Sequence, residues 1–113
     1  MSVTTINPAN GEKLKTYQYM SHDEVTTIID STHKDYLSWK NTTEDYKANL
    51  SNKLAEIMLQ NKEIISKTMT EEMGKPITQS YAEVEKCADL IKHNTNVFAK
   101  LLQDTHVNTE FTK

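Results

Sequence analysis

The stretch EEMGKPITQSYAEVEKC, residues 71–87, interrupts one helical pattern and starts another within three residues. Gly74 suits the left-handed C-cap that ends many helices, because glycine adopts positive φ at little steric cost. Pro76 cannot continue the preceding helix but is favoured in the first turn of a new one. The stretch therefore predicts a corner between two helices.

The helix after this corner has the clearest pattern in the chain. Apolar or small residues recur at gaps of four and three over three heptads, which predicts one long amphipathic helix. They are Ile77, Tyr81, Val84, Ala88, Ile91, Thr95, Phe98 and Leu102. Because the stripe includes Ala88 and Thr95 and is short for an independent coiled coil, we expect it to pack against neighbouring helices.

The segment before the corner predicts further helix from Thr43 to Met73. Thr43 can cap it, and Glu44 and Asp45 suit the positive end of the helix dipole. Asn61 weakens the pattern, which leaves open whether one bent helix or two are present. The residues expected to face inwards are Tyr46, Leu50, Leu54, Ile57 and Met58 before Asn61, and Ile64, Ile65, Thr68, Met69 and Met73 after it.

The first 40 residues predict a β-hairpin followed by a helix. Thr4 to Ile6 and Leu14 to Tyr19 form the strands, with Asn10-Gly11 as the favoured two-residue turn. Ser21 and Glu24 have the spacing of a capping box, so a helix begins there. Its apolar stripe is expected to consist of Val25, Ile28, Ile29, Thr32, Tyr36 and Trp39, and it ends before the polar turn KNTTED.

Composition limits the classes of partner. The 113 residues suit one small domain or part of a larger protein, and the net charge of −3 is spread along the chain. The chain contains no arginine, so nucleic acid is not an expected partner. No apolar run approaches the ~20 residues that cross a bilayer, and the N-terminus does not resemble a signal peptide. We therefore expect a cytoplasmic location and no membrane partner.

Cys87 is the single cysteine and the obvious candidate nucleophile. A reactive thiolate needs a nearby cation or a helix N-terminus, whereas Cys87 lies well inside the long helix among Glu83, Glu85 and Asp89. Free cysteines are often simply buried. We expect Cys87 to be structural, and a small enzyme that uses Cys87 with His93 is the least favoured interpretation.

No other motif predicts catalysis, cofactor binding or a metal site. None of the histidines stands four residues from another histidine or cysteine, as a helical metal site requires, and the two glycines do not form a phosphate loop. Glu71 and Glu72 beside Lys75 are expected to be a solvated charged face. Tyr36 and Trp39 could line a ligand pocket, but aromatic residues on such a stripe are more often core. The histidines are His22, His33, His93 and His106.

Several segments together resemble the N-terminal region of the NAD(P)-dependent aldehyde dehydrogenase superfamily. They are INPANGE at residues 6–12, Trp39 at the end of the first helix, NKEIISKTMTEEMGKPI at 61–77 and SYAEVEKCADLI at 80–91. The most specific is the EMGKPI element, which looks most like the branch that acts on succinate semialdehyde. The resemblance implies a mainly α segment with a short N-terminal β-hairpin, the N-terminal helical layer of an α/β aldehyde dehydrogenase fold.

The resemblance also implies what lies outside the chain. By this resemblance, residues 1–113 are the N-terminal part of a nucleotide-binding domain, with a hairpin at 1–20, helices at 21–104 and a tail at 105–113. The Rossmann core and the catalytic domain are not expected within these residues. In intact relatives a cysteine thiolate attacks the aldehyde, hydride passes to NAD or NADP, and a glutamate activates the water that releases the acid. None of these groups has a counterpart in this chain, and Cys87 is not in the family's nucleophile motif. We therefore assign no catalytic, cofactor-binding or metal-binding residue and expect no cofactor in this chain.

Two functions remain open from the sequence. The first is a catalytically silent N-terminal segment of an aldehyde dehydrogenase, with NAD or NADP bound in the intact enzyme. The second is a stand-alone helical protein-interaction module that acts through the stripe of the long helix. In either case we expect exposed apolar helix faces, covered by the remainder of the enzyme or by self-association, which includes domain swapping.

Overall fold

The computed structural model describes residues 1–108 and consists of a β-hairpin and four helices. The strands are β1, Ser2–Ile6, and β2, Lys13–Gln18, and the helices are α1, His22–Trp39; α2, Glu44–Gln60; α3, Lys62–Met73; and α4, Ile77–Leu101. The predicted class, mainly helical with an N-terminal hairpin, is therefore correct. Helix ends at residue 101 rather than 104, and residues 109–113 of the predicted tail lie outside the described part.

The hairpin differs from its prediction at the turn. Strands β1 and β2 are antiparallel with an irregularity between Thr4 and Ile6, but they are joined by a loop of residues 7–12. The backbone N–H of Asn7 donates to the carbonyl of Glu12, and that of Gly11 donates to the carbonyl of Asn7. Pro8 has no N–H to donate, so strand pairing stops before it and Asn10-Gly11 is not a two-residue turn.

The helix starts agree with their local signals. The Glu24 N–H donates to the Ser21 Oγ at 3.2 Å, and the Ser21 N–H donates to the Glu24 carboxylate at 2.7 Å, which completes the capping box. The Tyr46 N–H donates to the Thr43 Oγ1 at 3.2 Å and caps α2. Helices α2 and α3 are two elements that meet at Asn61, where φ is −100°.

The corner after α3 forms as the sequence predicts. Gly74 has φ 69°, and its N–H donates to the carbonyl of Thr70 at 3.0 Å. Pro76 directly precedes α4 with φ −55°, one position before the first helical residue. The corner turns the chain so that α4 lies along both α3 and α2, which form the packed part of the molecule.

The described helices do not form a globule. The Cα radius of gyration is 20.7 Å, against about 13 Å for a compact domain of this length. Helix α1 has no buried residue. The packing is therefore confined to α2, α3 and α4, with the hairpin resting on α3.

Candidate interaction surface

The residues that the packing of α2, α3 and α4 buries completely are small. The buried residues are Ala55, Val84 and Ala88, with the serines Ser66 and Ser80. Hydroxyl groups link the helices, because Thr70 and Ser80 lie 3.1 Å apart and Thr95 donates to Asn52 at 2.9 Å. Small residues let helix backbones approach closely, but they bury little apolar area.

Four large apolar residues of α2 face away from this contact, whereas Met58 is half-buried as expected. Tyr46, Leu50, Leu54 and Ile57 were expected to point inwards, yet they are 40–52% exposed. Ala55, the buried residue of α2, lies on the opposite side of the helix, about half a turn round from Tyr46. The predicted inner face was therefore wrong for these four residues, because α4 packs on the small-residue face.

The same correction applies in part to α3. Ile65 and Met69 are half-buried as expected, whereas Ile64 and Met73 are 69% and 76% exposed and Thr68 is exposed. The middle of the α4 stripe packs as predicted, since Val84 and Ala88 are buried, but Ile77, Phe98 and Leu102 are 38–62% exposed. An interaction module that uses the α4 stripe is thus not available, because the chain itself covers the middle of that stripe.

Helix α1 carries a complete apolar stripe that no neighbour covers. Val25, Ile28, Ile29, Tyr36 and Trp39 are 40–61% exposed. The sequence predicted Tyr36 and Trp39 as core residues, and this was wrong. In the described residues, α1 packs on no layer that could enclose them. Trp39 does contact the next helix, since its ring centroid lies 6.3 Å from that of Tyr46 in an edge-on arrangement.

We define the α1 face as Val25, Ile28, Ile29, Thr32, Tyr36 and Trp39, and the α2 face as Tyr46, Leu50, Leu54 and Ile57. The two faces meet at the Trp39–Tyr46 contact. Together they form an exposed apolar surface of the kind that marks protein–protein contacts. This is the candidate functional surface, and sequence periodicity found its residues but predicted them as core.

Cys87 is exposed, which corrects the expectation of a buried structural thiol. It lines a shallow depression on the side of α4 that α2 and α3 leave open, with Lys75, Gln79, Glu83 and Leu90 among its neighbours. Lys75 is paired with Glu83 in this depression. No histidine is among the residues that line the depression at Cys87.

The other candidate side chains are surface groups. Glu71 pairs with Lys67 at 3.7 Å on α3, and Lys75 pairs with Glu83, so the acids near the corner form ordinary surface ion pairs. In residues 1–108, no three histidine, cysteine or acidic side chains come together as a metal site would require. His33 lies beside Tyr36 on the exposed helix α1, with ring centroids 6.3 Å apart.

The N-termini of α1, α2 and α3 carry acids that disfavour a phosphate. The start of α1 is occupied by the carboxylate of Glu24, whose hydrogen bonds from the backbone and side chain of Ser21 lower its pKa. Helix α2 begins with Glu44 and Asp45 and α3 carries Glu63 in its first turn, and such acids repel a phosphate. The first turn of α4 carries no acid, and Lys75 just before it is paired with Glu83. Within residues 1–108, no helix is long and apolar enough to cross a membrane.

The structure also joins two motifs that sequence reasoning treated separately. The loop of INPANGE rests on the Gly-Lys-Pro corner, because a Cβ atom on Gly74 would lie 2.9 Å from the Pro8 Cγ. Gly74 thus has two roles: it adopts the left-handed conformation that ends α3, and its missing side chain leaves room for the hairpin loop. Only the tertiary contact reveals this second role.

Comparison with known proteins agrees with this architecture. The model of the aldehyde dehydrogenase family matches residues 1–113. Succinate-semialdehyde dehydrogenase [NADP(+)] 1 of Mycobacterium tuberculosis is 32% identical over 104 residues, covering 92% of this chain and 23% of the relative. A probable succinate-semialdehyde dehydrogenase [NADP(+)] of Synechocystis is 32% identical over 110 residues, covering 97% and 24%.

A solved structure shows the same arrangement of elements. Succinic semialdehyde dehydrogenase from Streptococcus pyogenes, in complex with NADP+, superposes with a TM-score of 0.85 at 28% identity, covering 95% of this chain and 24% of that one. The chain spans about a quarter of the length of these relatives and corresponds to their N-terminal region. From the match over its whole length, the chain belongs to the aldehyde dehydrogenase family.

Proposed function

We propose that this chain serves as the N-terminal helical layer of an NADP-dependent succinate-semialdehyde dehydrogenase and is catalytically silent alone. The observation that carries the proposal is the position of its apolar residues. Small residues hold α2, α3 and α4 together, while the α1 and α2 faces stay exposed. Such a layer needs a further surface on which to lie.

The exposed area fits a partner of domain size. The accessible surface is 9685 Å², whereas a compact protein of 13.0 kDa exposes about 6,300 Å². The excess of roughly 3,000 Å² on this one chain is several times the ~800 Å² that a standard interface takes from each partner. Relatives about four times longer than this chain contain enough additional protein to cover it.

The substrate and cofactor are proposed from the relatives alone. Those that resemble this chain include enzymes named for succinate semialdehyde and NADP+. The chain has no glycine-rich phosphate loop, since Gly11 and Gly74 are its only glycines, and acids occupy the first turns of α1, α2 and α3. We therefore place the binding of NADP, and the thiolate and general-base chemistry, in parts of the enzyme other than this segment.

A chimaera tests the proposal. In the Streptococcus pyogenes enzyme, the segment that corresponds to this chain is replaced by residues 1–113. We expect a folded chimaera that oxidises succinate semialdehyde with NADP+, whereas the isolated chain shows no turnover. A chimaera that folds and binds NADP+ but lacks activity would contradict the proposal.

Matched variants show whether the α2 face is the contact. In the chimaera, Leu54→Asp places a charge on the α2 face and is expected to reduce the yield of active enzyme at least tenfold. Asn49→Asp introduces the same carboxylate on an exposed residue outside that face and is expected to leave activity within twofold. Equal effects of the two substitutions would show that the α2 face is not the contact.

A stand-alone interaction module is the second candidate function. The observation in its favour is that no residue of α1 is buried, so its apolar stripe is available without any rearrangement. Such a module would act through α1 and α2 rather than through α4, whose stripe is partly buried. An isolated chain that is folded and captures a partner through α1 would support this function.

A further inference from the structure

We draw no further inference here: the strongest candidate, the open groove between the start of α2 and the second half of α4 that Ser51, Ile91 and Phe98 line, is an unpartnered apolar surface, and nothing in the structure shows what covers it.

Discussion

Gly74 is the residue on which the corner and the hairpin both depend. Its φ of 69° is a conformation that residues with a Cβ adopt at a cost of about 1–2 kcal/mol. Its missing side chain also leaves room for the Pro8 ring, which would otherwise lie 2.9 Å from a Cβ. The backbone requirement was predictable from the sequence, because Gly before Lys-Pro marks a helix end, but the contact with Pro8 was not.

Gly74→Ala is therefore expected to destabilise the chain by about 2–3 kcal/mol, from backbone strain and steric overlap together. Urea unfolding followed by ellipticity at 222 nm measures this change. In a Pro8→Ala background the same substitution should cost about 1 kcal/mol less, because the overlap is relieved. Equal losses in both backgrounds would show that Pro8 does not contact the corner.

Glu24 makes the start of α1 dependent on pH. Hydrogen bonds from the Ser21 backbone and side chain lower the pKa of Glu24 below its ordinary value of 4.5. A carboxyl group with a lowered pKa in the folded state stabilises that state above its unfolded pKa, and this contribution is lost as the pH falls through the folded pKa.

We expect the helical signal of the chain to fall as the pH is lowered below about 4.5 at low salt. Glu24→Gln can keep the capping hydrogen bond but cannot titrate. The loss of ellipticity at 222 nm between pH 6 and pH 3 should therefore be smaller in this variant. Superimposable pH profiles would show that the capping carboxylate does not stabilise α1.

At the scale of single elements, the helices differ in how they are supported. Helix α4 has buried residues at Val84 and Ala88, whereas α1 has none. An isolated helix of 18 residues is only marginally stable in water, even with good caps. The starts of α1 and α2 were predictable from their side-chain caps, whereas α3 and α4 begin without one. The support of a helix could not be read from the sequence, because periodicity does not name the neighbour.

Hydrogen exchange tests this difference. At micromolar concentration or below, we expect the amides of residues 26–36 in α1 to exchange at least tenfold faster than those of residues 82–90 in α4. Protection of α1 should rise with protein concentration if copies pair through it. Equal protection of both helices in a monomer would show that α1 packs within its own chain.

At the scale of the whole molecule, the extended shape follows from the same distribution of residues. A Cα radius of gyration of 20.7 Å results because small residues join α2, α3 and α4 while α1 projects without support. The membership of the aldehyde dehydrogenase family, the excess surface and the exposed faces are consistent with a segment that rests on further protein.

The sequence by itself determined the elements that depend on short-range forces. Ser21 with Glu24, Thr43 and the Gly-Lys-Pro corner set helix boundaries, because caps and backbone preferences act within a few residues. At Asn61 the sequence left one bent helix or two open, and the structure shows two. Only the tertiary structure decided which side of α2 is covered, that Cys87 and Trp39 are exposed, and that Pro8 lies against Gly74. The physical reason is that periodicity shows which residues share a face, whereas burial depends on the shape of what approaches that face, and here the close approach is made at Ala55, Val84 and Ala88.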